Sequence, residues 1–264
     1  MYDVNFHKAK DAKDAAKLVK SGDDPMYLSG GMTLIPTMKA RLAAPSDLVD
    51  VSAASDMVGI TVKGSTITIG AATTHAEVAS NAKLIKAVPG LACLAAGIGD
   101  PAVRHRGTIG GSIANNDPAA DYPAAMLGLA ATIVTNKRKI SADKFFVGLF
   151  ETALNEGELI KAVIVEKPKK SSYAKFPNPA SRYAMVGVFV AKTAKGTRVA
   201  VTGAGGDGVF RMKKLEKALD KKWGPEALAG TQIGSEGLMS DMHGSAEYRA
   251  NLIGVMAKRA IEAS

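Results

Sequence analysis

Arg104-His105-Arg106-Gly107-Thr108-Ile109-Gly110-Gly111-Ser112-Ile113-Ala114-Asn115-Asn116-Asp117-Pro118-Ala119-Ala120-Asp121 is the stretch around which the chain is organised. It opens basic, passes three glycines among small hydroxyl residues and closes on Asp117-Pro118. That pair reads as an N-cap followed by proline at the first helical position. Residues 122–131 are apolar enough to be the buried helix that follows. Paired glycines let backbone N–H groups approach a ligand with no Cβ in the way. Successive N–H groups in such a turn make a concave anion nest. Thr108, Ile109, Gly110, Gly111 and Ser112 are therefore candidates to hold a phosphate or pyrophosphate. A tight turn needing positive φ explains a lone diglycine as well. The hydroxyl neighbours, the length of the stretch and the helix start favour the anion site.

A second glycine pair lies upstream. Residues 26–28 read as a strand running into Ser29-Gly30-Gly31-Met32-Thr33, and residues 34–42 as a helix with Pro36 in its first turn. Strand, small-residue loop and helix in that order make another candidate anion site. Two such loops point to a long, multiply charged ligand such as a dinucleotide. Around them, Thr74-x-x-Glu77 predicts a capped helix, and residues 83–96 predict one helix stopped by Gly97. Residues 58–62 and 66–69 alternate as a hairpin about Lys63-Gly64-Ser65. Strands are also expected over 48–51, 130–135 and 159–165. Composition shifts at Lys167-Pro168-Lys169-Lys170-Ser171-Ser172. Beyond it come strands over 173–176, 186–192 and 198–202, in an antiparallel sheet, and helices over 212–220 and 247–263. The expected class is α+β, with domains over 1–168 and 169–264.

The chain has 264 residues, 47% of them hydrophobic, which is enough for two ordinary domains. One cysteine, Cys93, excludes an internal disulfide, a self-contained iron–sulfur cluster and a cysteine-rich zinc site. It sits in an apolar run and reads as a small core residue. No apolar run approaches the ~20 residues of a membrane span, and Met1-Tyr2-Asp3-Val4-Asn5 has no leader pattern. The expected location is cytoplasmic. The net charge of +9 gathers at lysines 167–175 and 213–222, without a nucleic-acid motif and with only 5% aromatics. That composition is poor for base stacking, so a solvated basic face is expected and no nucleic acid.

Other candidates are weaker. Gly203-Ala204-Gly205-Gly206-Asp207-Gly208 matches G-x-G-x-x-G between a strand and a helix. The acid required about 20 residues on falls in a helix end and turn, so a glycine-rich connection is expected. The four histidines, His7, His75, His105 and His243, show no ligand spacing, and no metal is expected. No G-x-S-x-G elbow exists. Arg104 and Arg106 are placed either to screen phosphate or to pair with Asp100, Asp117 or Asp121. Asp121 is a candidate acceptor for a ribityl or ribose hydroxyl.

Several blocks resemble the FAD-binding (medium) subunits of molybdenum hydroxylases, the carbon monoxide dehydrogenase and xanthine dehydrogenase type. They are the segment from Leu28 to Lys39, Ile69-Gly70-Ala71-Ala72-Thr73-Thr74-His75, and the run from Ile98 to Ser112. Asp117-Pro118-Ala119-Ala120-Asp121-Tyr122-Pro123, Phe150-Glu151-Thr152-Ala153-Leu154 and Gly244-Ser245-Ala246-Glu247-Tyr248-Arg249 also match, in the same order along nearly the whole chain. The resemblance implies an FAD domain of two α+β lobes, dividing near 53–57, before a smaller α+β domain. It implies FAD contacts at Leu28, Ser29, Gly30, Gly31, Met32, Thr33, Leu34 and Ile35, and at Thr108, Ile109, Gly110, Gly111 and Ser112. Ile98, Asp121, Leu154, Lys175 and Tyr183 would complete the set, with Tyr183 beside the isoalloxazine. The family usually has Gly-Asp before that aromatic, and here Ser181-Arg182 stands instead.

The function implied is electron transfer. Substrate would be oxidised at molybdenum in a large partner subunit. Two [2Fe–2S] clusters in a small partner would carry electrons to this FAD, and an external acceptor would remove them. A dimer of heterotrimers is the implied assembly, and no acid–base catalytic residue is expected in this chain. The competing readings are a free-standing FAD-dependent oxidoreductase with its own organic substrate, and an anion-binding protein that has lost FAD.

Overall fold

Three short strands and two helices start the chain and set its first lobe. The computed structural model describes residues 1–264. The first lobe runs β1 (Asn5–Lys8), α1 (Ala12–Val19), β2 (Pro25–Leu28), α2 (Leu34–Lys39) and β3 (Asp47–Asp50). Its strands pair in parallel in the order β1-β3-β2, with Leu48 opposite both Phe6 and Met26. Asp11 starts α1 by accepting the Asp14 N–H at 2.8 Å. The helix expected over 34–42 ends early, at Lys39. Arg41 takes φ +60°, a left-handed conformation that stops a helix.

The second lobe contains β4 (Ile60–Lys63), β5 (Thr66–Gly70), α3 (His75–Ser80), α4 (Ala82–Ala87), α5 (Pro89–Ala96), α6 (Pro101–Arg106) and α7 (Ile109–Asn115). It continues with α8 (Tyr122–Gly128), β6 (Thr132–Thr135), β7 (Lys139–Ser141), α9 (Ala142–Phe145), β8 (Phe146–Gly148), β9 (Glu151–Thr152) and β10 (Ile160–Glu166). Its main sheet has the order β4-β5-β10-β6-β7.

Four expectations are corrected here. The helix expected over 83–96 is two helices, because Pro89 pushes Val88 out of the helical region, to φ −142° and ψ 70°. Cys93 is exposed rather than a core residue: α5 buries Leu91, Leu94 and Ala95 and turns position 93 outward. Gly110 and Gly111 are not in a turn but in the first turn of α7. Asp117-Pro118 does not start the next helix. Asp117 caps a turn through the Ala119 N–H at 2.8 Å, and α8 begins at Tyr122.

The last third holds β11 (Lys170–Pro177), β12 (Ala184–Thr193), β13 (Gly196–Thr202), β14 (Phe210–Arg211), α10 (Lys213–Lys221) and α11 (Ala246–Glu262). The four strands form an antiparallel sheet in chain order. Successive side chains of a strand face opposite ways, and both faces are used. Val186, Val188, Val190, Val199 and Val201 pack with Leu215, Leu252 and Ile253 in a separate core. Tyr173, Phe189, Ala191 and Ala200 join the main core of the first two lobes. The glycine-rich run after β13 is a packed connection in which Gly206 N–H donates to Gly237 O at 2.8 Å. The class is the expected α+β, with an antiparallel sheet in the C-terminal part. No helix is long and apolar enough to cross a membrane.

Candidate functional site

Two segments leaving strand ends build the site. β2 ends at Leu28, and residues 29–33 leave the carboxyl edge of the parallel sheet and lead into α2. Gly31 takes φ +71°, which side chains rarely adopt. The N–H groups of Ser29, Gly30, Gly31, Met32, Thr33 and Leu34 donate to no acceptor in the protein. Six successive unpaired donors are what an anion-binding concavity requires, and all six residues line one cleft.

The second segment is held differently. Ala71 O accepts the Gly110 N–H at 2.8 Å, Thr73 O accepts Ile109 N–H at 3.1 Å, and Gly107 O accepts His75 N–H at 2.9 Å. Thr108 then caps α7, its Oγ1 accepting the Gly111 N–H at 3.1 Å. The opening N–H groups of α7 therefore already have protein acceptors, which corrects the expectation of a second open nest here. A Cβ on Gly110 would lie 2.5 Å from Ala71 Cβ, so that glycine serves close packing. This wall of the cleft offers the Thr108 and Ser112 side chains and the bare Cα of Gly111.

The two segments touch. Ser29 Oγ and Thr108 Oγ1 are 2.8 Å apart. A Cβ on Gly30 would overlap the Arg106 carbonyl, and one on Gly111 would stand 3.9 Å from Ser29 Cβ. Both segments face the same cleft of about 710 Å³, within the ~300–1,000 Å³ usual for ligand and cofactor sites.

Leu28, Ile98, Leu154 and Tyr183 also line this cleft, as does Asp121. Ile35, Ile109 and Lys175 do not. Ile109 is fully buried in the core, and Ile35 packs under Gly31. Lys175 stands behind Asp121, its Nζ donating to Asp121 Oδ2 at 3.1 Å, Gly97 O at 2.8 Å and Arg182 O at 3.0 Å. Asp121 also accepts the Tyr173 hydroxyl, so both its oxygens have protein donors. Burial raises the Asp121 pKa above the ordinary carboxylate range, while the Lys175 ammonium and the Tyr173 hydroxyl oppose that shift. The loop carrying Tyr183 closes on itself through Asn178 N–H to Tyr183 O at 2.7 Å. Arg182 in that loop has φ +63° and donates from Nη1 to Gly99 O at 3.2 Å. Arg104 donates to the same carbonyl at 3.1 Å and to Ile98 O at 2.9 Å. Neither Arg104 nor Arg106 pairs with Asp100, Asp117 or Asp121, and Arg104 is held by these two carbonyls instead.

Two residues of the cleft escaped the sequence reading. Glu158 is a buried carboxylate bound by Arg138 Nε and Nη2, each at 3.0 Å, by Thr135 Oγ1 at 2.6 Å and by Asn155 N–H at 3.0 Å. The Arg138 hydrogen bonds lead in holding its pKa down to about 2. His75, 5% exposed, begins α3 directly after the N-cap Thr74. Burial first, and then the Arg104 charge, lowers its pKa to about 4, so the ring is neutral. The capping box was legible in sequence; the proximity of His75 to Gly107 across 32 residues was not.

The donor set fits a dinucleotide with a diphosphate bridge: open N–H groups on one wall, hydroxyls on the facing wall, and a mixed apolar and polar cleft beyond. Known proteins agree. Residues 2–168 match the model of the FAD-binding domain in molybdopterin dehydrogenase, and residues 171–264 match the CO dehydrogenase flavoprotein C-terminal domain. The chain is 34% identical to the carbon monoxide dehydrogenase medium chain of Afipia carboxidovorans, over 98% of this chain and 95% of that one. It is 31% identical to the nicotine 6-hydroxylase medium subunit of Paenarthrobacter nicotinovorans, over 98% and 96%. A cyanide-inactivated Cu,Mo-CO dehydrogenase superposes with a TM-score of 0.87 at 32% identity, covering 98% of this chain and 96% of that chain. Quinoline 2-oxidoreductase from Pseudomonas putida 86 superposes with a TM-score of 0.88 at 25% identity, over 99% and 96%. Two domain models spanning nearly the whole chain, and relatives matched almost end to end, establish that this chain belongs to the FAD-binding medium subunits of the molybdenum hydroxylase family of oxidoreductases.

Proposed function

We propose that this chain is the electron-relay flavoprotein of a heteromeric molybdenum dehydrogenase, with FAD bound in the cleft between the two segments. The observation that carries the reading is the run of six unpaired N–H donors at 29–34 facing Thr108 and Ser112 across 710 Å³ of cleft. In this reading residues 29–34 hold the diphosphate against Thr108, Gly111 and Ser112. Ile98, Leu154 and Tyr183 flank the flavin half, and Asp121, held by Lys175 and Tyr173, borders it. The isoalloxazine supplies the redox chemistry. The chain's own part is to bind and orient the cofactor, shield it from water and fix the local charge.

A large molybdenum-cofactor subunit and a small [2Fe–2S] subunit are the proposed partners, in a dimer of heterotrimers working in the cytoplasm. Electrons enter from the iron–sulfur chain and leave to an external acceptor. One cysteine in this chain is too few to ligate a cluster, which supports clusters on a separate chain. Expression together with candidate partner chains, followed by pull-down, flavin spectroscopy and stopped-flow reduction, tests this. The expected result is near-stoichiometric FAD and flavin reduction only when the other two chains are present. Reduction of the isolated chain by an organic substrate would instead favour a free-standing oxidoreductase.

A further inference from the structure

His75 and Tyr122 form a buried polar pair that the fold does not use. His75 Nδ1 and the Tyr122 hydroxyl are both sealed from solvent without a hydrogen-bond partner in the protein. Their rings lie 5.3 Å apart at 47°. An unpaired buried polar group is destabilising, and two side by side call for a reason. Nε2 lacks a protein partner as well, yet it is not sealed off. It lies at Gly107, where a Cβ would come within 2.5 Å of it. The Cα of Gly107 also touches Gly30, so the ring edge reaches the junction of the two cleft-building segments, and His75 lines the cleft.

Nδ1 is sealed with no acceptor in the protein, so a proton there would be an unsatisfied buried donor, whereas Nε2 is not sealed off. A neutral imidazole with Nδ1 as acceptor carries its proton on Nε2 and is a donor there. Taking the FAD reading of the cleft as its basis, we propose that His75 is a further contact to the cofactor's diphosphate. It donates from Nε2–H. Gly107 is then required because any side chain there would cover the donor.

Binding of FAD, ADP and riboflavin to the flavin-stripped chain tests the contact, together with nitrogen-15 NMR of the labelled histidines. His75→Gln, which keeps a donor at similar reach, is expected to hold FAD and ADP within about threefold of the wild type. His75→Leu is expected to weaken both by about tenfold or more and to leave riboflavin binding unchanged. Without cofactor, His75→Leu is expected to melt no lower than the wild type, because it removes an unpaired buried group. A purely structural histidine would lower that temperature. Adding ADP to the wild type is expected to shift the His75 Nε2 resonance in the Nε2–H tautomer. Unchanged ADP and FAD affinity in His75→Leu, or a wild-type resonance that ADP does not move, overturns the contact while leaving the FAD site standing. Equal losses for riboflavin and ADP overturn its assignment to the diphosphate. A wild-type chain that takes up neither FAD nor ADP overturns the cofactor reading and the contact together.

Discussion

Gly110 and Gly111 are adjacent, and their missing side chains do different work. At Gly110 a Cβ meets Ala71 Cβ at 2.5 Å and Ala71 O at 2.6 Å. Valine there overpacks the junction of α7 with the end of β5. It should cost about 1–3 kcal/mol of stability and lose FAD only as a consequence. At Gly111 the added atom meets nothing closer than the Thr108 Oγ1 at 3.0 Å and points toward the cleft. Gly111→Asp should therefore lower FAD occupancy at least tenfold by placing a carboxylate beside the diphosphate, with little change in the melting temperature of the stripped protein. Absorbance at the flavin bands and a thermal melt of each variant separate the two glycines.

Titration at single residues also has a sign. His75 holds its proton only below about 4 in the folded chain, against 6.5 ordinarily. Between these values the unfolded chain binds the proton and the folded chain does not, so stability falls as pH drops through that window. Glu158 sits at about 2 against 4.5, so its pairing with Arg138 stabilises above 4.5 and fades as pH falls toward 2. Denaturant unfolding of the stripped chain should show a loss of about 2 kcal/mol from His75 between pH 8 and pH 5. His75→Leu should flatten that limb and leave the acid limb governed by Glu158 in place.

Among the elements, α2 and α7 look alike in sequence and differ in the fold. Each carries a diglycine at or just before its start, yet α2 has an N-cap residue, Thr33, with no side-chain cap, and α7 has Thr108 accepting the Gly111 N–H. The difference lies in the neighbours. Carbonyls of residues 71 and 73 take the first N–H groups of α7, and no acceptor takes an N–H of residues 29–34. Thr108 therefore serves two elements, capping α7 and pairing with Ser29 at 2.8 Å. Thr108→Val should cost about 1–2 kcal/mol and loosen FAD, while Thr108→Ser should keep most of both. Denaturation midpoints and flavin retention on a desalting column measure these effects. Element starts were legible where a cap sits in the sequence: Asp11 and Thr74 each accept from the residue three places on, whereas the Ser245 cap of the last helix was not read. Asp117 misled, because an aspartate before proline caps a turn as readily as a helix.

At the scale of the molecule, the C-terminal sheet is a partner in the main core rather than an appendage. Its Phe189 closes on Gly128, where a Cβ would lie 2.5 Å from the Phe189 ring. Gly128→Val should lower the melting temperature of the whole chain in one transition, since β12 and β13 share the core with α8. Two separated transitions in calorimetry, only one of them shifted, would show that the parts unfold independently. The same docking brings Lys175 and Tyr173 of β11 onto Asp121 and sets the Tyr183 loop over the cleft. The arrangement of Asp121 and the Tyr183 loop at the cleft therefore depends on contacts made by β11.

The sequence by itself determined the α+β class, the two glycine-bearing segments and their kinship with a flavoprotein family. Those features reside in local chemistry: caps, the spacing of apolar residues and glycines where a Cβ is excluded. Only the tertiary structure decided which N–H groups stay open, that Lys175 braces Asp121 rather than lining the cleft, and that His75 meets Gly107 and Tyr122. Each of those depends on an acceptor or a ring brought in from tens of residues away. Whether a donor is free or satisfied is settled by what the folded chain sets beside it, which no local pattern records.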